Sequence, residues 1–264
     1  MHLKNWRFNI KNIFIYFIMN KIKIQYISDL HLEKLCNHNK MQDIIHQIRP
    51  LSNTLVIAGD IGNPYDTNYD EFLFNMNRKF EKIFIVAGNH EYHHNDIHFT
   101  KKQIIYTCNQ YQNITFLDNS MENYMGVRWI GSTLWSRINN TNNTNYDTCV
   151  IKNFDNKQRN MYHEESKKYI EKTLEKTCKP AIIITHMVPS YDLTHEKYRN
   201  KKNLQFFNAD MNDIINKNRH IKAWFYGHTH MASVNKFNNT FCCCNPLGTY
   251  KKNKNLNMLH EVEL

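Results

Sequence analysis

One stretch of the sequence predicts both a buried strand and a group of polar ligands at its end: Ile221-Lys222-Ala223-Trp224-Phe225-Tyr226-Gly227-His228-Thr229-His230. Its apolar first part predicts a buried strand. Gly227 permits a tight turn where that strand ends, and such a turn can aim both imidazoles into one pocket. His228 and His230 are therefore candidate metal ligands. The alternative at this point is a polar loop, because the chain holds fifteen histidines.

Four other apolar runs end in polar side chains of the kind that a metal site needs. Their ends are Asp29-Leu30-His31, Gly59-Asp60, Gly88-Asn89-His90-Glu91 and Thr185-His186. Helical patterns are found over residues 39–49, 66–80, 95–112 and 162–177. Strands that alternate with helices form parallel sheets, whose carboxyl ends lie along one edge. The sequence therefore predicts a βαβ layout with its chemistry along that edge.

The middle of the chain has a different pattern. Residues 114–118 and 127–130 are predicted to be strands of a second sheet with antiparallel neighbours. Residues 136–161 contain an asparagine-rich polar tract that cannot bury apolar surface, so we predict a loop or mobile cap there. Residues 187–207 are predicted to form a second cap loop. Either cap could overhang the site.

Length and composition favour one domain, because 41% of the 264 residues are hydrophobic, which is enough for a substantial core. We assign residues 20–264 to this domain and residues 1–19 to an N-terminal extension outside the fold. The apolar residues 13–19 are far fewer than the ~20 that a membrane span needs. No signal-peptide cleavage site follows them. We expect residues 1–19 to result from a translation start upstream of the domain or to form a loose extension.

Charge and cysteine content limit the partners and the compartment. A net charge of +10 attracts phosphate-bearing partners, although a general bias towards lysine explains it equally well and no basic block indicates nucleic acid. The seven cysteines form no Cys-x-x-Cys pair, which indicates a reducing, cytoplasmic compartment. Cys242, Cys243 and Cys244 are interpreted as part of a buried strand and not as ligands.

The five polar blocks, in this order and at strand ends, make the chain resemble the calcineurin-like metallophosphoesterase superfamily over residues 22 to about 250. Residues 131–136 and 245–248 are similar to those of its small single-domain bacterial-type members. The resemblance implies an α/β fold, namely a four-layer sandwich of two central β-sheets flanked by helices. It also implies a dinuclear site in which one carboxylate bridges two divalent metal ions.

The resemblance also implies a role for each polar residue. Asp29, His31 and His230 would hold the first ion, Asn89, His186 and His228 the second, Asp60 would bridge them, and His90 would be the catalytic acid. The implied reaction is in-line attack on phosphorus by a metal-bridging hydroxide, while the acid protonates the leaving oxygen. Nitrogen and oxygen ligands suit Mn, Fe, Zn or Co and leave the metal open. Glu91 would either orient a ligand or be a solvated surface carboxylate.

The chain departs from the protein phosphatases of this superfamily at two places. Ala87 occupies the position of an arginine, and residues 63–65 replace an Asp-Arg-Gly. We therefore expect a small phosphomonoester or phosphodiester as the substrate. The alternatives are a nuclease of the same superfamily acting on DNA or RNA and, as a lesser hypothesis, a non-catalytic scaffold. Four loop residues are further candidates for substrate contact, although loop polarity explains them equally well: Tyr92, His93, His94 and His195.

Overall fold

The computed structural model describes residues 21–35, 37–139, 141–142, 144–194, 204–248 and 257–263. The proposed extension of residues 1–19 and the candidate His195 lie outside these ranges and stay predictions. Within the described ranges the chain forms eleven strands: β1 (Lys21–Ile27), β2 (Thr54–Ala58), β3 (Lys82–Val86), β4 (Ile114–Phe116), β5 (Ser120–Tyr124), β6 (Val127–Ser132), β7 (Ala181–Thr185), β8 (Ile221–Tyr226), β9 (Ser233–Phe237), β10 (Thr240–Cys244) and β11 (Met258–Glu263). The same ranges contain six α-helices: α1 (His38–Gln47), α2 (Thr67–Asn77), α3 (Ile97–Cys108), α4 (Tyr146–Val150), α5 (Asn156–Glu175) and α6 (Asn212–Lys217).

The strands form two mixed sheets. The first has the order β11-β1-β2-β3-β4, in which β1 to β4 are parallel and β11 runs antiparallel to β1. The second has the order β5-β6-β7-β8-β10-β9, in which the four central strands are parallel and the two edge strands are antiparallel. The carboxyl ends of the parallel strands therefore lie along one edge of each sheet, as the sequence predicted.

Alternating side chains build three layers of apolar core. In β2, Ile57 packs with the side chains of α1, α2 and α3, whereas Val56 packs between the two sheets. In β7, Ile183 packs with α5 and α6, and Ile182 packs between the sheets. The layers are helices, sheet, sheet and helices. This arrangement confirms the predicted four-layer α/β sandwich.

The strand predicted at residues 114–118 belongs to the first sheet, so its assignment to the second sheet was wrong. β4 runs parallel to β3, with Ile114 opposite Ile83. The helix that precedes it, α3, packs Ile104 into the same helix-covered core that holds Phe72 of α2. A crossover helix on that face returns the chain beside the strand it left. The second sheet begins only at β5.

The prediction of a loop or mobile cap was wrong for much of residues 136–161. α4 begins at a capping box formed by Asn145 and Thr148, and α5 begins at one formed by Asp155 and Gln158. In each box two side chains satisfy backbone N–H groups that the first helical turn leaves unpaired. Asn145, at the end of the asparagine-rich tract, therefore caps a helix, and Asp155 caps the next one. α5 starts six residues earlier than the predicted helix at residues 162–177.

The remaining predictions concern the second half of the chain. The predicted cap loop at residues 187–207 contains two short 3₁₀ turns, Tyr191–Leu193 and Leu204–Phe206, and its residues 195–203 lie outside the described ranges. Cys242, Cys243 and Cys244 are buried in β10, which confirms their interpretation as core.

Among the described residues, no helix combines the length and the apolar character that crossing a membrane requires.

Backbone hydrogen bonds join the two sheets at the edge where the polar blocks collect. Ser28, just after β1, donates its N–H to the carbonyl of Asn245, just after β10, at 3.0 Å. Its own carbonyl accepts from Leu247 at 2.9 Å, and the carbonyl of Asp29 accepts from Gly248 at 3.1 Å. Because β1 and β10 lie in different sheets, these bonds align the two edges and allow residues from both to meet.

We expect Trp129→Ala to lower the free energy of unfolding by about 3–5 kcal/mol, because it removes a large ring from the core between the sheets. Trp129 is fully buried and stacks on Phe84 with 4.4 Å between ring centroids. Urea unfolding followed by circular dichroism would measure the change. Tyr106→Ala removes an exposed ring from α3 and should change the free energy by less than about 0.5 kcal/mol. Equal effects of the two substitutions would contradict the described packing.

Candidate metal centre

The loops at the shared edge bring the predicted ligands together in two groups. The first group contains Asp29 and His31, from the loop after β1, and His230, from the loop after β8. Nε2 of His31 lies 3.0 Å from Nε2 of His230, which in turn lies 3.2 Å from Oδ1 of Asp29. These are the three residues that the resemblance assigned to one ion.

The second group contains Asn89, His186 and His228, which follow β3, β7 and β8. Nε2 of His186 lies 3.1 Å from Oδ1 of Asn89 and 3.2 Å from Nδ1 of His228. His228 and His230 are two residues apart in sequence, yet they contribute to different groups. The structure therefore brings together all six residues in the pairing that the resemblance implied.

Asp60, from the loop after β2, lies between the two groups. Its Oδ2 is 3.8 Å from Nε2 of His31 and 3.3 Å from Nε2 of His186. Ligand atoms that share one ion at about 2.1 Å lie roughly 3.0–3.4 Å from one another. The described residues thus offer clusters of carboxylate and imidazole groups whose spacing suits a divalent cation. Their chemistry fits as well, since nitrogen and oxygen donors bind the borderline and harder transition metals.

The backbone of these ligands is strained. Asp29, His31, Asp60, His228 and His230 have positive φ angles of 54°, 50°, 55°, 69° and 53°. A non-glycine residue in this region costs of order 1–3 kcal/mol and persists only when its surroundings hold it there. The chain has left β geometry at these positions, so the alternation of a strand does not determine where the side chains point. They converge because the loops turn sharply.

Two glycines allow the close approach of backbone to ligand. A Cβ on Gly88 would lie 2.1 Å from Oδ1 of Asp60, and one on Gly227 would lie 2.8 Å from Oδ2 of Asp29. Any larger residue would displace a carboxylate. Gly88 and Gly227, the second of which was predicted to permit a tight turn, are therefore needed at these two positions for space.

Glu91 orders the backbone behind the ligands. It is fully buried, and its oxygens accept the N–H groups of Gly88 at 2.6 Å, Ile61 at 2.6 Å and Asp60 at 3.0 Å. The alternative of a solvated surface carboxylate was therefore wrong. Burial and the nearby Asp60 carboxylate raise the pKa of Glu91 to about 8, although the amide donors of Gly88 and Asp60 act in the opposite direction.

His90 lies beside the first group and is paired with a carboxylate. Its Nδ1 is 2.9 Å from Oε1 of Glu33, which is also 3.3 Å from Nδ1 of His31. Burial acts to raise the pKa of Glu33, but hydrogen bonds from the two imidazoles outweigh it and lower that pKa to about 2. Sequence reasoning missed Glu33, although its position two residues after a candidate ligand was a usable signal.

Sequence reasoning also missed Asp147, because it lies in the segment that was predicted to be a loop. Its Oδ1 accepts a hydrogen bond from Nδ2 of Asn89 at 2.8 Å and lies 3.0 Å from Nε2 of His93. Its Oδ2 accepts from Nη2 of Arg159 at 2.7 Å. Asp147 and Arg159 are buried. They connect α4 and α5 to the loop that carries Asn89.

The candidates for substrate contact differ in their access to solvent. Tyr92 is fully buried, with its hydroxyl 3.4 Å from Oγ1 of Thr133, so it is not available to a substrate. His93 is buried against Asp147, and His94 is exposed.

The two histidines of the second group have pKa values shifted in opposite directions. Burial acts to lower the pKa of His186, but the Asp60 carboxylate outweighs it and raises that pKa to about 10. Burial and the neighbouring His186 lower the pKa of His228 to about 3. The lowered pKa of His228 favours the neutral imidazole, which is the form that binds a metal.

Comparison with known proteins identifies relatives of this chain. A family model described as calcineurin-like phosphoesterase matches residues 22–232. Uncharacterized protein L509 of Acanthamoeba polyphaga mimivirus is 31% identical over 271 residues, which cover 91% of this chain and 96% of that protein.

Solved structures share the fold. The phosphopantetheinyl hydrolase from Mycobacterium tuberculosis superposes with a TM-score of 0.68 at 16% identity, covering 92% of this chain and 96% of that one. A dimetal phosphatase from Danio rerio superposes with a TM-score of 0.54 at 11% identity, covering 84% of this chain and 86% of that one. At these identities the similarity shows a common architecture.

We expect Gly88→Ala to weaken the binding of Mn²⁺ by at least about tenfold, because the new methyl group would displace the Asp60 carboxylate. Isothermal titration calorimetry would measure the affinity, and circular dichroism would verify folding. Gly126→Ala is the control for a strained loop alanine without a steric conflict, since its φ is 76° and its Cβ meets nothing within 4 Å. A folded Gly88→Ala variant with unchanged affinity would refute the placement of Asp60 among the ligands.

Proposed function

Because the chain belongs to the calcineurin-like phosphoesterase family, we propose that it is a hydrolase that uses two divalent metal ions to cleave a small phosphomonoester or phosphodiester. One observation carries the proposal: Asp60 lies between two groups of ligands, with Oδ2 3.8 Å from His31 and 3.3 Å from His186. A carboxylate in this position is suited to serve two ions at once, as a two-metal phosphoesterase requires.

The described residues would divide between the ions as follows. Asp29, His31 and His230 would hold one ion, Asn89, His186 and His228 the other, and Asp60 both. When bound, such ions polarise phosphoryl oxygens and lower the pKa of coordinated water. The ligand set is compatible with Mn, Fe, Zn or Co. The other residues at the site then have to admit the ester and move a proton.

His90 is the residue proposed to protonate the leaving oxygen. Glu33 engages Nδ1 of His90, which leaves Nε2 as the nitrogen available for proton transfer. The backbone N–H of His90 donates to Oδ1 of Asp60 at 2.9 Å, so the main chain of His90 is held beside the proposed bridging carboxylate. The side chain of His90 remains 16% exposed, whereas His186 is fully buried. His90 is therefore accessible from solvent to a substrate.

The surroundings of the site favour a small substrate. His230 and Glu33 are partly exposed, and Phe207 lies at the rim with its ring centroid 4.9 Å from that of His228. Phe207 is itself exposed and offers an apolar surface to the part of the substrate that does not react. Asp147 joins α4 to the loop that carries Asn89 and His93. Elements packed against the second group leave more room for a compact ester than for a duplex.

We expect His90→Ala to lower kcat for alkyl phosphate esters by about 10²–10⁴, the usual worth of a positioned general acid. The loss should be smaller for p-nitrophenyl esters, because p-nitrophenolate leaves without a proton. Steady-state kinetics with both classes of ester would measure the difference, and metal analysis should find unchanged occupancy. His46→Ala, which removes an exposed imidazole from α1, is the control and should leave kcat unchanged.

An equal loss for good and poor leaving groups would contradict the role of His90 as an acid. A loss of bound metal in His90→Ala would assign the imidazole to ligand binding instead.

The proposed substrate class can be tested with a panel. We expect higher kcat/KM on p-nitrophenyl phosphate, bis-p-nitrophenyl phosphate or cyclic nucleotides than on single- or double-stranded DNA, with Mn²⁺ at about 150 mM salt, where non-specific DNA binding is weak. Asp60→Asn, purified in parallel, should be inactive on every compound and controls for contaminating phosphatases. Cleavage of DNA with negligible turnover of every small ester would support the nuclease alternative. Inactivity of the metal-loaded protein on the whole panel would favour the scaffold.

A further inference from the structure

The side-chain amide of Asn89 has two ends of opposite character, and only one of them can bind a cation. Oδ1 lies 3.1 Å from Nε2 of His186, within the second group of ligands, and Nδ2 points away from that group towards Asp147 at 2.8 Å. A rotation of the amide by half a turn would put the NH₂ group among the ligands. Because an NH₂ group has no lone pair for a cation, the orientation of this amide determines whether the second site is complete.

Asp147 can favour only one of these orientations. An ionised carboxylate accepts hydrogen bonds and cannot donate them, so it pairs with the NH₂ end of the amide. Nη2 of the Arg159 guanidinium donates to Oδ2 of Asp147 at 2.7 Å, and this ion pair favours the charged carboxylate. The negative charge also polarises the amide so that more electron density lies on Oδ1.

Arg159 holds Asp147 in this position. Its guanidinium is fully buried, donates to Oδ2 of Asp147 at 2.7 Å, and lies 4.9 Å from the ring centroid of Trp135 and 5.3 Å from that of Phe154. A buried ion pair contributes little more to stability than apolar residues of the same volume. Apolar residues could tie α4 to α5, but they could not orient an amide.

From these contacts we infer that Asp147 is a positioning residue, which holds the amide of Asn89 with Oδ1 towards the second ion site. The inference rests on the proposed function, because it concerns one of the two proposed ion sites. It also connects that site to α4, the helix that carries Asp147 outside both sheets. The competing interpretation is a purely structural ion pair, in which Asp147 joins α4 to α5 and has no effect on the ligands.

Titration of the metal-free protein with Mn²⁺ separates the two interpretations. In Asp147→Asn the new amide can pair with either end of Asn89, so the second Mn²⁺ should bind about 10–100-fold more weakly. The first Mn²⁺ should bind as in the wild type, which also shows that the variant is folded. Asp118→Asn is the control for loss of an ion pair, because Asp118 pairs with Lys101 at 2.7 Å in another, partly exposed part of the fold.

A second background separates the two interpretations further. In Asn89→Asp the ligand has two oxygens and no NH₂ end, so its orientation no longer determines whether an oxygen faces the ion. Asp147→Asn should therefore weaken binding of the second Mn²⁺ less in this background than in the wild type. The ion pair with Arg159 is lost in both, so a structural role predicts an equal effect in both.

Should Asp147→Asn fail to fold, Asp147→Glu provides the test, since it keeps the charge opposite Arg159 and displaces the acceptor from Asn89. Asp147→Glu should also weaken binding of the second Mn²⁺ and leave binding of the first unchanged. Two bound Mn²⁺ in the wild type, with unchanged affinities in folded Asp147→Asn or Asp147→Glu, would overturn this inference and leave the proposed function intact. A wild-type protein that binds no Mn²⁺, Fe²⁺, Zn²⁺ or Co²⁺ would overturn both.

Discussion

The Asp60 carboxylate faces candidate ligands that come from both sheets. The need to bring these side chains to one carboxylate constrains the rest of the structure. His31 and Asn89 follow strands of the first sheet, whereas His186 and His228 follow strands of the second. Side chains from two sheets can meet at one carboxylate only if the sheets are stacked with their carboxyl edges aligned. The apolar layer between the sheets and the backbone bonds around Ser28 provide this alignment. The four-layer architecture is therefore part of the site.

Forming this site costs free energy, because it requires strained backbone angles and buried carboxylates. Five of its seven candidate ligands have positive φ, and the two aspartates are almost completely buried. The surrounding structure compensates for both costs. Glu91 accepts the N–H groups of Gly88, Asp60 and Ile61, and Gly88 leaves room for a carboxylate at a distance that no side chain would allow. The strained backbone angles are concentrated among the candidate ligands. Such strain is typical of a preorganised site, in which the ligands are already ordered before an ion binds.

Most of the fold could be predicted from the sequence, and the errors have physical causes. The central parallel strands are continuous apolar runs such as residues 83–86, which are recognisable because both faces of each sheet are covered. The edge strands β5, β9 and β11 have no such pattern, since backbone pairing with a neighbour defines them more than burial does. The helix caps at Asn145 and Asp155 were mistaken for loop, because capping uses the same polar residues that loops do.

For the candidate site, the sequence by itself determined the set of polar blocks, their order and their positions at strand ends, because ligand chemistry and strand periodicity are local properties. The sharing of ligands between two groups was implied only by the family resemblance, and it is the tertiary structure that produces it, since His228 and His230 diverge through backbone angles that no alternation rule describes. It also decided the partners of the ligands. Glu33 reaches His90 across 57 positions, and Asp147 reaches Asn89 across 58. Glu33 meets His90 once the strands of the first sheet have paired, and Asp147 meets Asn89 once α4 has packed, because packing determines such distances.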